Sequence, residues 1–332
     1  QAEDGIRDLV RSRGLGDVYK RQVLRGQPGT GKTTVLQQAA LAAPGQRTLY
    51  LTYNALLAER ARDFFEQFAP EPALITVLTF GELLRKVLPS APAVVAPLSA
   101  RITVLAQALD QAPRKFAPWD KHPEELFGEL HAWIAGAALP TPFRGAPPCE
   151  GPLLREDAFV KLRAKTLDER AARNAVLAVM ALDPRLLPEI VGDPWWARRA
   201  LDKLRAGAKP PKVLHDVQAV FVDEVQDLTL VEVALLAALV ESASAGRDAP
   251  LDVMVAGDES QTVRPTDFDW GAFADAVGPT LGAGTTFDLL GNVRSPRAIA
   301  TLVERSWALY QHLDKAQRPR GRADLEIEES VS

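Results

Sequence analysis

Three short stretches of the 332-residue chain carry residue types spaced for phosphate chemistry. The first is GQPGTGKTT, Gly26 to Thr34, which fits the spacing G-x-x-x-x-G-K-[ST]. Its loop positions are Gly26, Gln27, Pro28, Gly29, Thr30 and Gly31. Gly29 and Gly31 let the backbone curl until its N–H groups face phosphate oxygens. Lys32 then reaches the β- and γ-phosphates, and Thr33, followed by Thr34, offers a hydroxyl to Mg²⁺. The second stretch, AVFVDEVQD from Ala219 to Asp227, is an apolar strand ending in two adjacent carboxylates. Strand geometry sends Asp223 and Glu224 to opposite sides. One can hold Mg²⁺ through its water shell while the other polarises an attacking water. The third, VMVAGDESQ from Val253 to Gln261, ends another strand in polar residues and places Gln261 to sense a nucleotide from the next strand tip. A plain β-turn accounts equally well for its Gly-Asp pair.

These groups need a scaffold, and the flanking pattern supplies one. A helix is expected from Lys32 to about Ala42, a strand over Thr48 to Thr52, a helix from about Asn54 to Phe68, and a strand over Leu74 to Thr79. That alternation is the βαβ rhythm of a parallel sheet. Only Val23 and Leu24 precede the glycine-rich loop, between Gln22 and Arg25, so the first strand reads as cut short. From about Pro89 to Pro211 strand-like runs vanish and helical periodicity dominates, as in Phe159 to Leu182. The βα rhythm returns at Val217 to Asp227, with a helix to about Ser242 and a strand over Leu251 to Asp258. A further apolar segment, Phe287 to Leu290, leads into a helix from Pro296 to about Leu313.

In this order, GQPGTGKTT, LTYN, LTF, VDEVQD, GDESQ and GNVRSP resemble the motifs of the UvrD/Rep-like helicases of superfamily 1. VDEVQD is the most telling: many P-loop ATPases share the Asp-Glu, whereas the Gln-Asp that follows marks this family. The resemblance implies an α/β P-loop NTPase whose RecA-like parallel sheet carries a helical inserted domain. It implies an ATP- and Mg²⁺-dependent motor on single-stranded DNA, moving 3′ to 5′, with RNA left open as the strand. On this basis residues 23–88 and 213–285 form the RecA-like domain, 89–212 the helical accessory insertion, and 286–332 the start of a second RecA-like domain. Lys32 and Thr33 match the family's phosphate and Mg²⁺ contacts, Asp223 its metal carboxylate and Glu224 its catalytic base. Gln226 and Gln261 match its γ-phosphate and coupling glutamines, and Arg294 the arginine that reaches the γ-phosphate from the second domain. Thr52 with Tyr53, and Thr79 with Phe80, match segments that touch the nucleic-acid strand.

The chain also departs from the family. Gly81 stands where His is usual, Arg264 where Tyr is usual, and TVRPTDFDWGA is about three residues longer than expected. Trp270 is either a base-stacking platform or core, while Phe268 reads as core. Asp8 to Gln22 resembles a translated sequencing adapter, so residues 1–22 are expected to be non-native. Beyond Leu313 the family's later motifs are missing, so the expectation is an incomplete motor that binds Mg-ATP and hydrolyses it poorly. Two alternatives remain: a nucleotide-switched nucleic-acid-binding or scaffold module, and the motor part of a helicase–nuclease.

Composition bounds these readings. At 47% apolar and 25% charged the chain is ordinary globular protein, with a single cysteine, Cys149, and so no internal disulfide. No apolar run approaches the ~20 residues of a membrane span; the longest, near Val231 to Val240, carries Glu232. The expected location is cytoplasmic. Net charge is −4, yet Arg85 to His215 holds 20 Lys and Arg against 14 Asp and Glu, the basic part of an acidic molecule. Within it Trp195 and Trp196 precede a cationic run from Arg198 to Lys212, read as either a strand-tracking or a solvated face. Four scattered histidines lack ligand spacing, so no metal beyond Mg²⁺ is expected.

Overall fold

The computed structural model describes residues 21–42, 45–140, 149–247, 249–262, 264–282 and 285–289. The first three strands, β1 (Gln22–Gly26), β2 (Thr48–Thr52) and β3 (Ile75–Thr79), are each followed by a helix: α1 (Lys32–Leu41), α2 (Ala55–Phe68) and α3 (Phe80–Val87). Next come α4 (Leu98–Asp110), α5 (Pro123–Glu129), a short antiparallel pair β4 (Cys149–Glu150) and β5 (Leu153–Leu154), α6 (Glu156–Arg163), α7 (Glu169–Met180), α8 (Leu187–Val191) and α9 (Asp193–Arg205). Then β6 (Ala219–Val222), α10 (Leu230–Ser244), β7 (Asp252–Gly257), α11 (Trp270–Val277) and β8 (Thr285–Leu289) complete the described chain.

Six strands form one parallel sheet in the order β3-β2-β6-β7-β1-β8. The protein is therefore α/β. The central strands read as continuous apolar runs because both faces are covered. Successive side chains alternate between the two cores. Leu24, Tyr50, Phe221 and Met254 pack with α1 and α2 on one side. Val23, Leu49, Leu51, Val220, Val222 and Val255 pack with α3, α9, α10 and α11 on the other. The helices between β3 and β6 enclose a third core, built on residues such as Leu105, Trp119, Phe127, Phe159, Val179 and Ile190. Among the described residues no helix is long and apolar enough to cross a membrane.

Four expectations change. The first strand is not cut short: β1 runs five residues and lies between β7 and β8. Polar Gln22 is buried there, and Arg25 lies over the Trp270 ring, so strand pairing and stacking replace the apolar flanks that the sequence lacks. Gln22, grouped with the adapter-like segment, is thus a sheet residue. The strand containing Phe287 pairs with β1, so 285–289 belong to the first sheet rather than to a second domain. The helical insertion ends earlier than residue 212: Ala197, Ala200 and Leu201 of α9 are buried in the sheet's core, with only Trp195 turned to the helical one. The helix expected over Pro296 to Leu313, like residues 1–20, lies outside the described residues.

Candidate functional site

A parallel sheet delivers every strand's C-terminal end to one edge, where ligands of open α/β folds bind. Here that edge gathers the loop after Gly26, Thr52, Thr79, the Asp223–Glu224 pair and Asp258. The loop from Gly26 to Lys32 turns on Gly29 (φ 79°) and Gly31 (φ 88°), a left-handed conformation that glycine adopts without a Cβ penalty. Thr30 donates its hydroxyl to the Gln27 carbonyl at 2.9 Å. The turn folds Lys32 back along the loop: its Nζ donates to the Gly26 carbonyl at 2.7 Å and to Gln27 at 3.2 Å. Lys32 is 6% exposed, and its nearest carboxylate oxygen, on Asp258, is 3.8 Å away. No side chain caps α1 and no acidic residue sits in its first turn, which leaves its positive end facing this loop.

Asp223 is buried at the tip of β6. Its Oδ2 accepts the Tyr50 hydroxyl at 2.9 Å, its Oδ1 the Glu224 N–H at 3.1 Å, and Thr33 donates a further side-chain hydrogen bond. Burial is the main reason its carboxyl is pushed up to about 6, with the Glu224 charge second. Glu224 holds φ 55° and ψ 46°, a left-handed backbone at a non-glycine residue. Such strain persists only where surroundings enforce it. Gln226 does so: its Nε2 donates to the Glu224 carboxylate, and its Oε1 accepts the Asp258 N–H at 3.0 Å. Asp258 in turn accepts Gln261 Nε2 at 2.6 Å and the Ser260 hydroxyl at 2.6 Å.

The structure therefore brings Gly26 through Lys32, Thr33, Asp223, Glu224, Gln226 and Gln261 to one edge; Thr34 is exposed in the first turn of α1. Thr33 and Asp223 supply a hydroxyl and a carboxylate, the hard oxygen donors that Mg²⁺ takes together with waters and phosphate oxygens, so the donor set fits that ion. Arg294 lies outside the described residues. Two site residues escaped the sequence. Tyr50 gave no signal beyond a hydroxyl in an apolar strand. Asp258 gave one, a carboxylate ending β7 as Asp223 ends β6.

The residues expected to touch nucleic acid are placed differently. Phe80 is 2% exposed, in the core under α3, and offers no face to a base. Thr79 caps α3 instead: its hydroxyl accepts the Glu82 N–H at 3.1 Å while Glu82 accepts the Thr79 N–H at 2.7 Å. Trp270 is core, 7% exposed, with Arg25 over its ring and Phe268 and Phe273 at its edges. Thr52 is buried with an unpartnered hydroxyl. Within the cationic run, Arg198 is buried on Asp202 and the Ala138 carbonyl, and Lys203 donates to the Val87 carbonyl at 3.1 Å. These two cations hold helices together rather than forming a phosphate track.

No protein-family model matches this chain, and no curated protein matches it. Its chemistry must be read from its own side chains.

One cluster gathers residues from separate stretches, among them Tyr53 of LTYN and Arg264 of TVRPTDFDWGA. Tyr53 donates its hydroxyl to Asp193 at 2.9 Å, and the Arg264 guanidinium lies 3.9 Å from the centre of its ring. Arg264 Nη1 donates to the Asp227 carbonyl at 2.6 Å and faces Glu232 Oε1 at 3.5 Å, while Nη2 meets His131 Nε2 at 2.9 Å. His131 is fully buried, and burial, then the charges of Arg264 and Arg101, holds its imidazole well below the usual range. Arg264 Nη2 faces Nε2, while Nδ1 lies 3.1 Å from both Arg101 Nη2 and the Val191 carbonyl; a neutral ring has one acceptor nitrogen and so accepts from one of the two arginines. Arg101 donates to the Ile190 carbonyl at 2.9 Å, and burial lowers its guanidinium to about 10. The cluster joins β2, α10 and the chain after β7 to the helical unit.

Proposed function

We propose that this chain is the ATP-binding and hydrolysing part of a superfamily 1, UvrD/Rep-like motor acting on single-stranded DNA, built on a RecA-like P-loop domain. The observation that carries this reading is Lys32: a buried ammonium held by two carbonyls of its own glycine loop, 3.8 Å from the nearest carboxylate, beside a Thr33–Asp223 pair. Asp258 is a loose partner for this buried ammonium, and a triphosphate would bring oxygens close enough to replace the two loop carbonyls.

On this reading Lys32 exchanges the Gly26 and Gln27 carbonyls for phosphate oxygens, joined by the N–H groups at the start of α1. Mg²⁺, held by Thr33 and Asp223, would neutralise charge building on the phosphates. Glu224, fixed by Gln226, orients a water in line with the γ-phosphate, and Gln261 reports on that phosphate through Asp258.

The test is phosphate release from Mg-ATP with and without a single-stranded DNA or RNA oligonucleotide. Mg²⁺-dependent release that Lys32→Ala abolishes, and that an oligonucleotide stimulates, supports the motor. Failure of the chain to bind Mg-ATP sinks the whole reading. Binding without strand stimulation favours a second reading, a nucleotide-switched module. Its specific support is that Phe80 and Trp270 are buried and Tyr53 is engaged by Arg264 and Asp193.

A further inference from the structure

The chain between β7 and α11 touches both the strand-tip site and the helical unit. At its start, Asp258 faces Lys32 and holds Gln261. Two rungs then fix it to the turn after Glu224: Arg264 donates to the Asp227 carbonyl at 2.6 Å, and Thr266 donates its hydroxyl to the Gln226 carbonyl at 2.7 Å. Gln226 is the residue whose amide holds the Glu224 carboxylate. At its far end the same stretch is anchored twice to the helical unit. Arg264 meets His131 at 2.9 Å. Asp267 accepts the Trp133 indole N–H at 2.7 Å and faces Arg163 Nη1 at 3.4 Å.

Both anchors land on one turn. His131 and Trp133 belong to a π turn, Leu130–Ile134, that continues α5, and Glu129 just before it accepts Arg163 Nη2 at 2.8 Å. Such single wide turns recur at functional positions. Asp267 also carries a left-handed backbone, φ 49°, which a non-glycine residue adopts only when its surroundings hold it there. Its indole and guanidinium partners do so. This is the stretch that departs from the family pattern in length and in having Arg264.

We propose that the described residues of 258–269 form a strut through which occupancy of the strand-tip site sets the packing of the helical unit, with Arg264 and Asp267 as its anchors. The ligand side of this statement rests on the nucleotide reading above; the mechanical side does not. Any shift of Glu224 or Gln226 is passed by Thr266 and Arg264 to the 129–134 turn, and by reciprocity any change at that turn returns to the site. Arg264 and Asp267 are positioning residues; neither touches the loop that takes the phosphates.

The experiment is hydrogen–deuterium exchange on the full chain, comparing the wild type with Asp267→Gly and Asp267→Asn. Asp267 is half exposed, and glycine accepts its backbone without strain, so Asp267→Gly keeps the fold while removing the Asp267 anchor, its contacts to Trp133 and Arg163, and leaves Arg264 on His131. Without nucleotide, both variants should speed exchange in 225–228 and 258–262 as well as in 129–134, by ~5-fold or more, the low end of ordinary site-to-site coupling. Change confined to 129–134 and the loop's own tip overturns the strut. In a second arm, Mg²⁺ with a non-hydrolysable ATP analogue is titrated calorimetrically and the exchange repeated. Protection of 129–134 in the wild type, lost in both variants while affinity stays within ~3-fold, supports the strut. Equal protection in wild type and variants overturns it. If the wild type binds no analogue, the nucleotide reading fails and the first arm alone decides the strut.

Discussion

The strand-tip site and the junction cluster both bury charge, and they treat it in opposite ways. At the junction two guanidiniums, Arg101 and Arg264, share the interior with two carboxylates, Asp193 and Glu232, and a neutral His131 fills the gap between them. Each arginine also has main-chain carbonyls as acceptors. At the strand tips Lys32 leans on carbonyls with Asp258 at 3.8 Å, and burial and then the Glu224 charge push the Asp223 carboxyl up to about 6 despite its neutral donors. Buried charges already matched to one another stabilise a structure. The strand-tip charges are paired more loosely, Lys32 with Asp258 at 3.8 Å, and the two regions are distinguished by that difference.

The comparison predicts that site variants lose chemistry while keeping the fold, and junction variants do the reverse. The largest effect is expected for Glu224→Gln, which should lower phosphate release by ~10²–10⁴, the usual contribution of a positioned base. Nucleotide affinity and Tm should stay near wild type, and unchanged turnover would remove Glu224 from its role. Next is Glu232→Gln, which keeps an oxygen for the Thr229 cap but leaves Arg264 facing one carboxylate fewer. Breaking a buried pair costs ~3–5 kcal/mol, readable as a shift in urea midpoint. A shift below 1 kcal/mol would place this pair with ordinary surface bridges and erase the contrast.

Mild acid separates the two regions further. Asp223 has a raised folded value, so the folded state holds its proton more tightly than the unfolded chain does. Stability from this group is therefore lost as pH rises from about 4 to about 6. Asp223→Asn should accordingly gain on the wild type over that range, by ~2–3 kcal/mol at its plateau. His131 works the other way. Its folded value is lowered, so stability falls as pH drops below 6.5, and His131→Gln should flatten that slope. Denaturation midpoints at several pH values check both; a parallel response of the two variants would refute the contrast. The smallest effect is Thr79→Ala. As a helix cap, Thr79 should contribute about 1 kcal/mol to stability, with no change in oligonucleotide affinity. A strand-binding defect without a stability change would return Thr79 to the nucleic-acid face.

The two regions also differ in how far the sequence exposes them. The loop at Gly26 to Thr34 and the Asp223–Glu224 pair are legible because each is contiguous, and the second also because the buried apolar strand β6 runs straight into it. The sheet's central strands follow for the same reason. Edges and joints do not. The length of β1 was hidden by Gln22 and Arg25, polar residues tolerated because neighbours pair the first and stack against the second. The junction draws single residues from positions 53, 101, 131, 193, 232 and 264, which share no spacing. Two traces existed all the same. Glu232 interrupts the long apolar run of α10, and Arg264 is a lone cation in the stretch between β7 and α11. Trp270 and Phe80 misled because an aromatic beside a polar loop looks the same in sequence whether it faces a base or a core.

The position of β1 has a consequence for how the molecule is made. Gln22 lies beside Met254 and Thr285, so the strand that leads into the glycine loop has neither neighbour until β7 and β8 have been synthesised. At ~5–20 residues per second that is a wait of roughly 10–50 s, during which an apolar parallel edge is open. The helical core, closed within residues 105–191, needs no such delay. On the ribosome the helical unit can therefore be compact while the candidate catalytic edge is still unassembled. Among the described strands, the first to be made is the last to find its neighbours, and a nascent-chain chaperone that shields it would raise the yield of folded protein more than one that acts on the helices.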